Sequence, residues 1–151
     1  MQARTVQITV GRPWRELCEF LAQPLNYPLW ASWLGSSLRQ QRGDWIARRP
    51  GGGPAKVRFT ERNAFGVADH CVLEAEDRAR FIALRAVPHG GATEVILTLF
   101  REPGCGDAQW RAHADAAQHD LGRLKALIER RVSAAAWPLR VAWPRTPRPP
   151  S

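Results

Sequence analysis

The chain has 151 residues, 44% of them hydrophobic, which is enough for one domain with a substantial core and too few for two. Of its 22 basic residues, five arginines and no acid lie in residues 130–151, which leaves 17 basic against 14 acidic residues in the rest of the chain. Because basic and acidic residues are interspersed there, the net charge of +8 does not favour a nucleic-acid partner.

The chain shows no sign of export or of a membrane span. Its first residues, MQARTVQITV, lack a basic-then-apolar signal, and no apolar run approaches the roughly 18 residues of a transmembrane helix. We therefore expect a cytoplasmic protein. Cys18, Cys71 and Cys105 lie far apart and outside any metal-ligating spacing, so we expect neither a metal nor a cofactor. The sequence leaves a homodimer open.

The first part of the chain predicts a strand followed by two short helices. RTVQITV alternates polar and apolar residues with the period of a strand. Pro13 then opens a helix whose apolar positions, from Trp14 to Leu21, follow helical spacing, and Pro24 ends it. The segment LNYPLWASWLG predicts a second short helix or turn that ends at Gly35.

About six strands in a meander and one long helix follow. The predicted strand segments are SSLRQQR, DWIARRP, AKVRFTER, FGVADHCVLEAE, ARFIALRAVP and ATEVILTLFRE. With Asp107 as N-cap, a helix is expected to run to about Arg131. Its apolar face is Trp110, Ala114, Ala117, Leu121, Leu124 and Ile128. This order predicts an α+β fold in which the long helix packs across one curved antiparallel sheet of about six or seven strands.

The last residues differ in composition from the rest. Residues 132–151 are rich in proline and arginine and lack sustained periodicity, so we expect a mobile tail after a domain of residues 1–131. Trp137 and Trp143 are unusual for plain disorder, and a docking role for this tail on a partner is one candidate function.

The element order, together with the phrases NYPLWASWLGSSLR, VRFTERNAFGVADHCV and ILTLFREPG, resembles the START-like, or SRPBCC, superfamily. The resemblance covers nearly all of residues 4–130 and is strongest to an uncharacterised bacterial branch labelled polyketide cyclase/dehydrase-like. That branch is expected to have leucine where Ala68 stands here. The resemblance implies the helix-grip fold and a cavity between sheet and helix, but no particular reaction, since the superfamily holds binders, carriers and enzymes.

Such a cavity is expected to measure roughly 300–1,000 Å³ and to have mainly apolar walls. The candidate wall residues are Trp30, Trp33, Trp45, Phe59, Phe81, Phe100, Trp110 and Leu121. The alternative is that these side chains fill the core and leave no cavity.

The stretch NAFGVADHC raises the question of a catalytic Asp-His pair. Neighbours in a strand point to opposite faces, so Asp69 and His70 form no dyad unless Gly66 distorts the segment. The more apolar companions of Asp69 favour Asp69 inward and His70 outward, and alternation also places Glu61 on the core side. A buried carboxylate needs a counter-charge, and Arg85 is the best available. The sequence therefore predicts an Asp69–Arg85 or a Glu61–Arg85 pair, with a surface charge at a strand end as the alternative.

These observations predict a domain that binds a small, largely apolar molecule. The second hypothesis is an enzyme of the polyketide cyclase or dehydratase type, for which Asp69, His70 and Glu61 are the candidate acids and bases. An inward carboxylate would then have a raised pKa. The sequence contains no nucleophile elbow, phosphate loop or dinucleotide motif beside them.

Overall fold

The computed structural model describes residues 2–49, 51–75 and 77–130. The proposed tail, residues 132–151, therefore lies outside the described residues. Two α-helices, α1 (Trp14–Leu21) and α2 (Asp107–Glu129), and two 3₁₀ helices, Pro24–Leu29 and Ser32–Leu34, are present. The strands are β1 (Ala3–Val10), β2 (Ser37–Gln41), β3 (Asp44–Arg48), β4 (Pro54–Phe59), β5 (His70–Ala75), β6 (Arg78–His89) and β7 (Ala92–Phe100).

The seven strands form one antiparallel sheet in the order β1-β7-β6-β5-β4-β3-β2. From β2 onward each strand pairs with the next one along the chain, and β1 closes the order by pairing with β7. The prediction of an α+β fold with a curved sheet of six or seven strands and a long C-terminal helix is confirmed.

The long helix α2 packs through the face that its sequence predicts. All six residues of that face are buried, and Leu121, Leu124 and Ile128 are fully so, each stabilising the fold by about 2 kcal/mol. Two polar contacts hold the same end of the helix to the region of β1: Lys125 Nζ donates to the Thr9 carbonyl at 2.7 Å, and Glu129 Oε1 accepts from the Gly11 N–H at 2.8 Å. The C-terminal half of α2 is therefore fixed to the sheet.

The start of α2 differs slightly from the prediction. Gly106, with extended backbone, is the N-cap, and Asp107 is the first helical residue. Its carboxylate accepts from Arg101 Nη2 at 2.7 Å and does not cap the helix.

The predicted second short helix is two 3₁₀ segments. Pro28 lies inside the first of them and has no N–H to donate, so a continuous α-helical ladder cannot pass through it. Tyr27, Trp30 and Leu34 are nevertheless almost completely buried, so the segment packs on the core through its large side chains.

Strand β5 begins at His70, five residues later than the predicted start at Phe65. Before it, residues 60–69 run irregularly beside β6, and Val67 forms an isolated bridge to Arg85. Gly66 has a φ of +72°, and a Cβ there would lie 2.1 Å from the Ala86 carbonyl oxygen. Only glycine allows this close approach of the two backbones.

We expect Gly66→Ala to lower the free energy of unfolding by more than about 2 kcal/mol, because the new methyl group meets backbone and the φ is unfavourable for alanine. Urea denaturation followed by tryptophan fluorescence measures the change.

Gly43→Ala is the matched control, since Gly43 has a φ of +83° but an alanine Cβ there would have no neighbouring atom within 4 Å. It should cost only about 1 kcal/mol. Equal losses in the two variants would show that the contact with Ala86 carries no cost.

Candidate ligand cavity

A cavity of about 630 Å³ lies between the N-terminal half of α2 and strands β5, β6 and β7. Its volume is typical of small-molecule pockets, which measure roughly 300–1,000 Å³. The main apolar wall residues are Trp33, Phe81, Ile82, Leu99, Phe100 and Trp110. Since Phe81 and Phe100 are 50% and 41% exposed, the cavity opens to solvent on their side.

Asp120 closes one side of the cavity; its Oδ1 lies 4.0 Å from Arg123 Nη1, and its other oxygen is hydrogen-bonded. Its Oδ2 accepts from the Ser32 hydroxyl at 2.5 Å and from the Ser32 N–H at 3.0 Å. These bonds join α2 to the 3₁₀ segment that carries Trp33. Asp120 is therefore a structural link rather than a free acid.

An ion-pair network lines the part of the cavity near the β5–β6 hairpin. Arg49 Nη1 donates to Glu74 Oε1 at 2.7 Å. Arg78 Nη2 lies 3.6 Å from Glu74 Oε2 and 3.9 Å from Glu102 Oε2. Together with Asp120, these carboxylates are the acidic groups of the cavity wall, and each has a partner.

Arg80 has no such partner. It is half-buried on the same face of β6 as Ile82 and Leu84. Within residues 2–49, 51–75 and 77–130 its guanidinium makes no hydrogen bond or ion pair, and its Nε is buried without an acceptor. The Nε of Arg49 is also buried without an acceptor. A buried donor left in this state costs about 1–3 kcal/mol.

His70 lies beneath the cavity, 2% exposed, with both ring nitrogens hydrogen-bonded. Trp33 Nε1 donates to His70 Nε2 at 3.0 Å, so the imidazole proton is on Nδ1, which donates to the Ala68 carbonyl at 3.0 Å. Burial lowers the pKa of His70 to about 4, so the ring is neutral near pH 7. Because Trp33 lines the cavity, His70 positions part of the wall.

Aromatic side chains surround this histidine. The Tyr27 and Phe59 rings have centroids 5.1 and 5.5 Å from that of His70, and Trp30 packs edge-on against Trp33 at 5.3 Å. Trp30 is completely buried. Tyr27, Trp30 and Phe59 do not line the cavity themselves, but they pack around His70 and Trp33, and Trp33 does line it.

Asp69 and Arg85 form an ion pair on the other face of the sheet. Arg85 Nε and Nη2 donate to the two Asp69 oxygens at 2.8 and 2.5 Å, and the Leu84 N–H donates to Oδ1 at 2.9 Å. Burial pushes the pKa of the Asp69 carboxyl upward, but the hydrogen bonds from Arg85 and Leu84 outweigh it and lower the pKa below its ordinary value. The carboxylate is ionised and does not line the cavity.

The predicted Asp69–Arg85 pair is confirmed, whereas the predicted outward position of His70 is wrong. Asp69 and His70 point to opposite faces and both are buried, at 8% and 2% exposed: His70 packs among aromatic rings, while Asp69 pairs with the half-exposed Arg85. The raised pKa expected for an inward carboxylate is replaced by a lowered one. Glu61 is exposed in the loop after β4 and contacts neither the main cavity nor Arg85.

The other predicted ligand-binding residues are divided between wall and core. Trp33, Phe100 and Trp110 line the cavity. Trp30 and Leu121 are buried in the core, and Trp45 and Phe59 pack on one another at 6.3 Å beside it.

Solved structures with similar folds have low sequence identity to this chain. No family model matches the sequence, and no curated protein matches it significantly. Ara h 8.0201 matches with a TM-score of 0.55 and 10% identity over 84% of this chain and 97% of its own. The Aha1 dimer from Colwellia psychrerythraea matches with a TM-score of 0.60 and 17% identity over 85% and 97%.

DynU16, from the dynemicin biosynthetic locus, has a TM-score of 0.62 and 14% identity, over 86% of this chain and 48% of its own. These likenesses and the sheet-plus-helix architecture agree. The chain has the helix-grip fold. At these identities the likeness establishes the fold alone.

In this helix-grip domain the charged residues of the cavity wall were not among the residues predicted from the sequence. Arg80 occupies the same alternating positions of β6 as the buried Ile82, Leu84 and Ala86, so an arginine on the apolar face was a detectable signal. Asp120 was a second such signal, because it is an acidic residue next to the buried Leu121 on α2. The contact of Arg49 with Glu74 could not be predicted from a local pattern, because the two residues lie 25 positions apart in the sequence.

Other kinds of site are not evident in the described part of the chain. There, no helix combines the length and apolar character needed to cross a membrane. Likewise, three or more metal-ligating side chains nowhere come together within these residues. Burial raises the pKa of the Cys18 thiol to about 12, which makes it an unreactive core residue.

We expect the free energy of unfolding to fall as the pH decreases from about 6.5 to about 4. The unfolded chain protonates His70 at its ordinary pKa of 6.5, the folded chain only near 4. The contribution, on the order of 3 kcal/mol, is complete above pH 6.5 and lost below pH 4. Urea denaturation at a series of pH values measures it.

His70→Gln should remove most of this pH dependence, whereas His119→Gln, which changes an exposed histidine of α2, should retain it. An unchanged slope in His70→Gln would assign the pH dependence to another group.

We expect Asp69→Ala to lower the free energy of unfolding by about 2 kcal/mol, because the N–H of the buried Leu84 loses its acceptor. Arg85→Ala should cost less than about 1 kcal/mol, since its side chain is half exposed and solvent screens the pair. Chemical denaturation measures both, and a larger loss for Arg85→Ala would contradict this account.

Proposed function

We propose that this helix-grip domain binds a small, largely apolar molecule in the cavity between α2 and the sheet. The observation that carries the proposal is the cavity of about 630 Å³ with six large apolar side chains in its wall. Apolar surface inside such a space remains hydrated until a ligand covers it, and covering it releases about 25 cal/mol for each Å². The exposed Phe81 and Phe100 provide an entrance.

The construction of the wall also supports binding. Trp33 is held by the hydrogen bond to His70, and α2 is held to Ser32 through Asp120. A wall held in this way loses little conformational freedom when a ligand enters, which favours affinity.

The enzymatic alternative receives no support from its three candidate residues. His70 has both nitrogens engaged, Asp69 is an ionised partner of Arg85 on the other face, and Glu61 is exposed. None of them presents a free acid or base to the cavity.

Three expectations from the sequence stay predictions. A role for the tail concerns residues 132–151, which lie outside the described residues. A homodimer is compatible with the helix-grip fold, since the similar Aha1 protein was solved as a dimer. A location in the cytoplasm is likewise a prediction.

We expect the protein to bind Nile red, an uncharged apolar dye, with a blue-shifted and enhanced emission. Ala116→Phe should weaken this binding at least about tenfold, because Ala116 lines the cavity and is itself exposed, so the added ring fills the space without entering the core. Fluorescence titration measures the affinity.

Ala112→Phe is the matched control, since it adds the same ring to an exposed position of α2 that does not line the cavity. Both variants should retain a cooperative thermal transition. Absence of dye binding to the wild-type protein, or equal binding by Ala116→Phe, would overturn the proposal.

A further inference from the structure

We propose that the ligand of this cavity carries a carboxylate and that the guanidinium of Arg80 binds it. This inference rests on the proposed function, since it concerns the polar group of a ligand whose remaining part is apolar.

The first step is that the charged side chains of the cavity wall are paired or hydrogen-bonded, with one exception. Among the described residues, Glu74 is paired with Arg49 and Arg78, and Asp120 is hydrogen-bonded to Ser32. Glu102 lies 3.9 Å from Arg78. The described wall has three arginines and three carboxylates, and Arg80 is the arginine with no described carboxylate within 4.0 Å.

The second step is the hydrogen-bonding capacity of the same group. A guanidinium presents five N–H donors and no acceptor. The described residues supply no acceptor to Arg80, and the Nε of Arg49 also lacks one. A partly buried charge in this state is unfavourable, and an anionic oxygen group of a ligand would remove the penalty.

The third step is the kind of anion. A carboxylate carries one negative charge, as Arg80 carries one positive charge, and its two oxygens fit the planar guanidinium. A phosphate monoester carries about −1.5 to −2 and would place more negative charge near Glu74 and Glu102 than a carboxylate does. The apolar wall of Ile82 and Leu99 lies in the same cavity, so an apolar acid satisfies both parts of the site.

The test compares decanoate with methyl decanoate as competitors that displace bound Nile red at neutral pH. The two differ in charge, and burial of apolar surface alone favours the ester. We expect the wild-type protein to prefer decanoate by about tenfold, in keeping with one charge-assisted contact. Arg80→Gln should retain Nile red binding and lose this preference.

Arg58→Gln is the matched control, because it removes the same charge from an exposed position of β4 outside the cavity, and it should keep the preference. If Arg80→Gln lacks a cooperative unfolding transition, Arg80→Lys replaces it, and a reduced but measurable preference is then expected.

The outcomes separate the two proposals. Failure of Nile red to bind the wild-type protein overturns the proposed function. Normal dye binding with no preference for decanoate, or with the same preference in the Arg80 and Arg58 variants, overturns the carboxylate site alone.

Discussion

The architecture depends on the packing of α2, whose apolar face is buried along its whole length. In the C-terminal half of α2, Leu124 and Ile128 are completely buried, and Lys125 and Glu129 bind the backbone near the end of β1. The N-terminal half forms the roof of the cavity. The burial and polar contacts at one end thus fix the position of the helix whose other half lines the cavity.

The polar pair at the start of β5 is structural. In a regular antiparallel ladder the Leu84 N–H would donate to the Ala68 carbonyl. Here the Asp69 side chain takes that place, and the freed Ala68 carbonyl accepts from His70. Each polar side chain therefore provides a hydrogen-bond partner for a backbone group that the irregular segment near Gly66 leaves unpaired. These hydrogen bonds and those from Trp33 and Arg85 engage both ring nitrogens of His70 and both oxygens of Asp69.

The charged groups of the cavity are instead arginines and carboxylates contributed by separate strands, loops and α2. Most of these charges neutralise one another, so they shape the wall without selecting a ligand. Arg80 differs, because it has no carboxylate within 4.0 Å among the described residues and its Nε is buried without an acceptor. Buried polar groups are rarely left unpaired where no function requires it, which makes this arginine the informative residue of the site.

The sequence by itself determined the elements that depend on local periodicity. The buried face of α2 was predicted at all six positions, because a helical stripe of apolar residues has few ways to be covered. Alternation also showed that Asp69 and His70 occupy opposite faces. It could not show which faces inward, because both faces of that segment mix polar and apolar residues.

Only the tertiary structure decided that orientation, since it depends on where Trp33 and Arg85 provide partners. The tertiary structure likewise decided which aromatic residues line the cavity and which fill the core, because this depends on how α2 and the 3₁₀ segments pack against the sheet. Contacts such as Arg49 with Glu74 join distant strands, and no local pattern encodes them. Periodicity specifies which side of an element is apolar, and it offered Arg85 two carboxylate partners, Asp69 and Glu61. The packing of the whole chain decides that the pair with Asp69 forms.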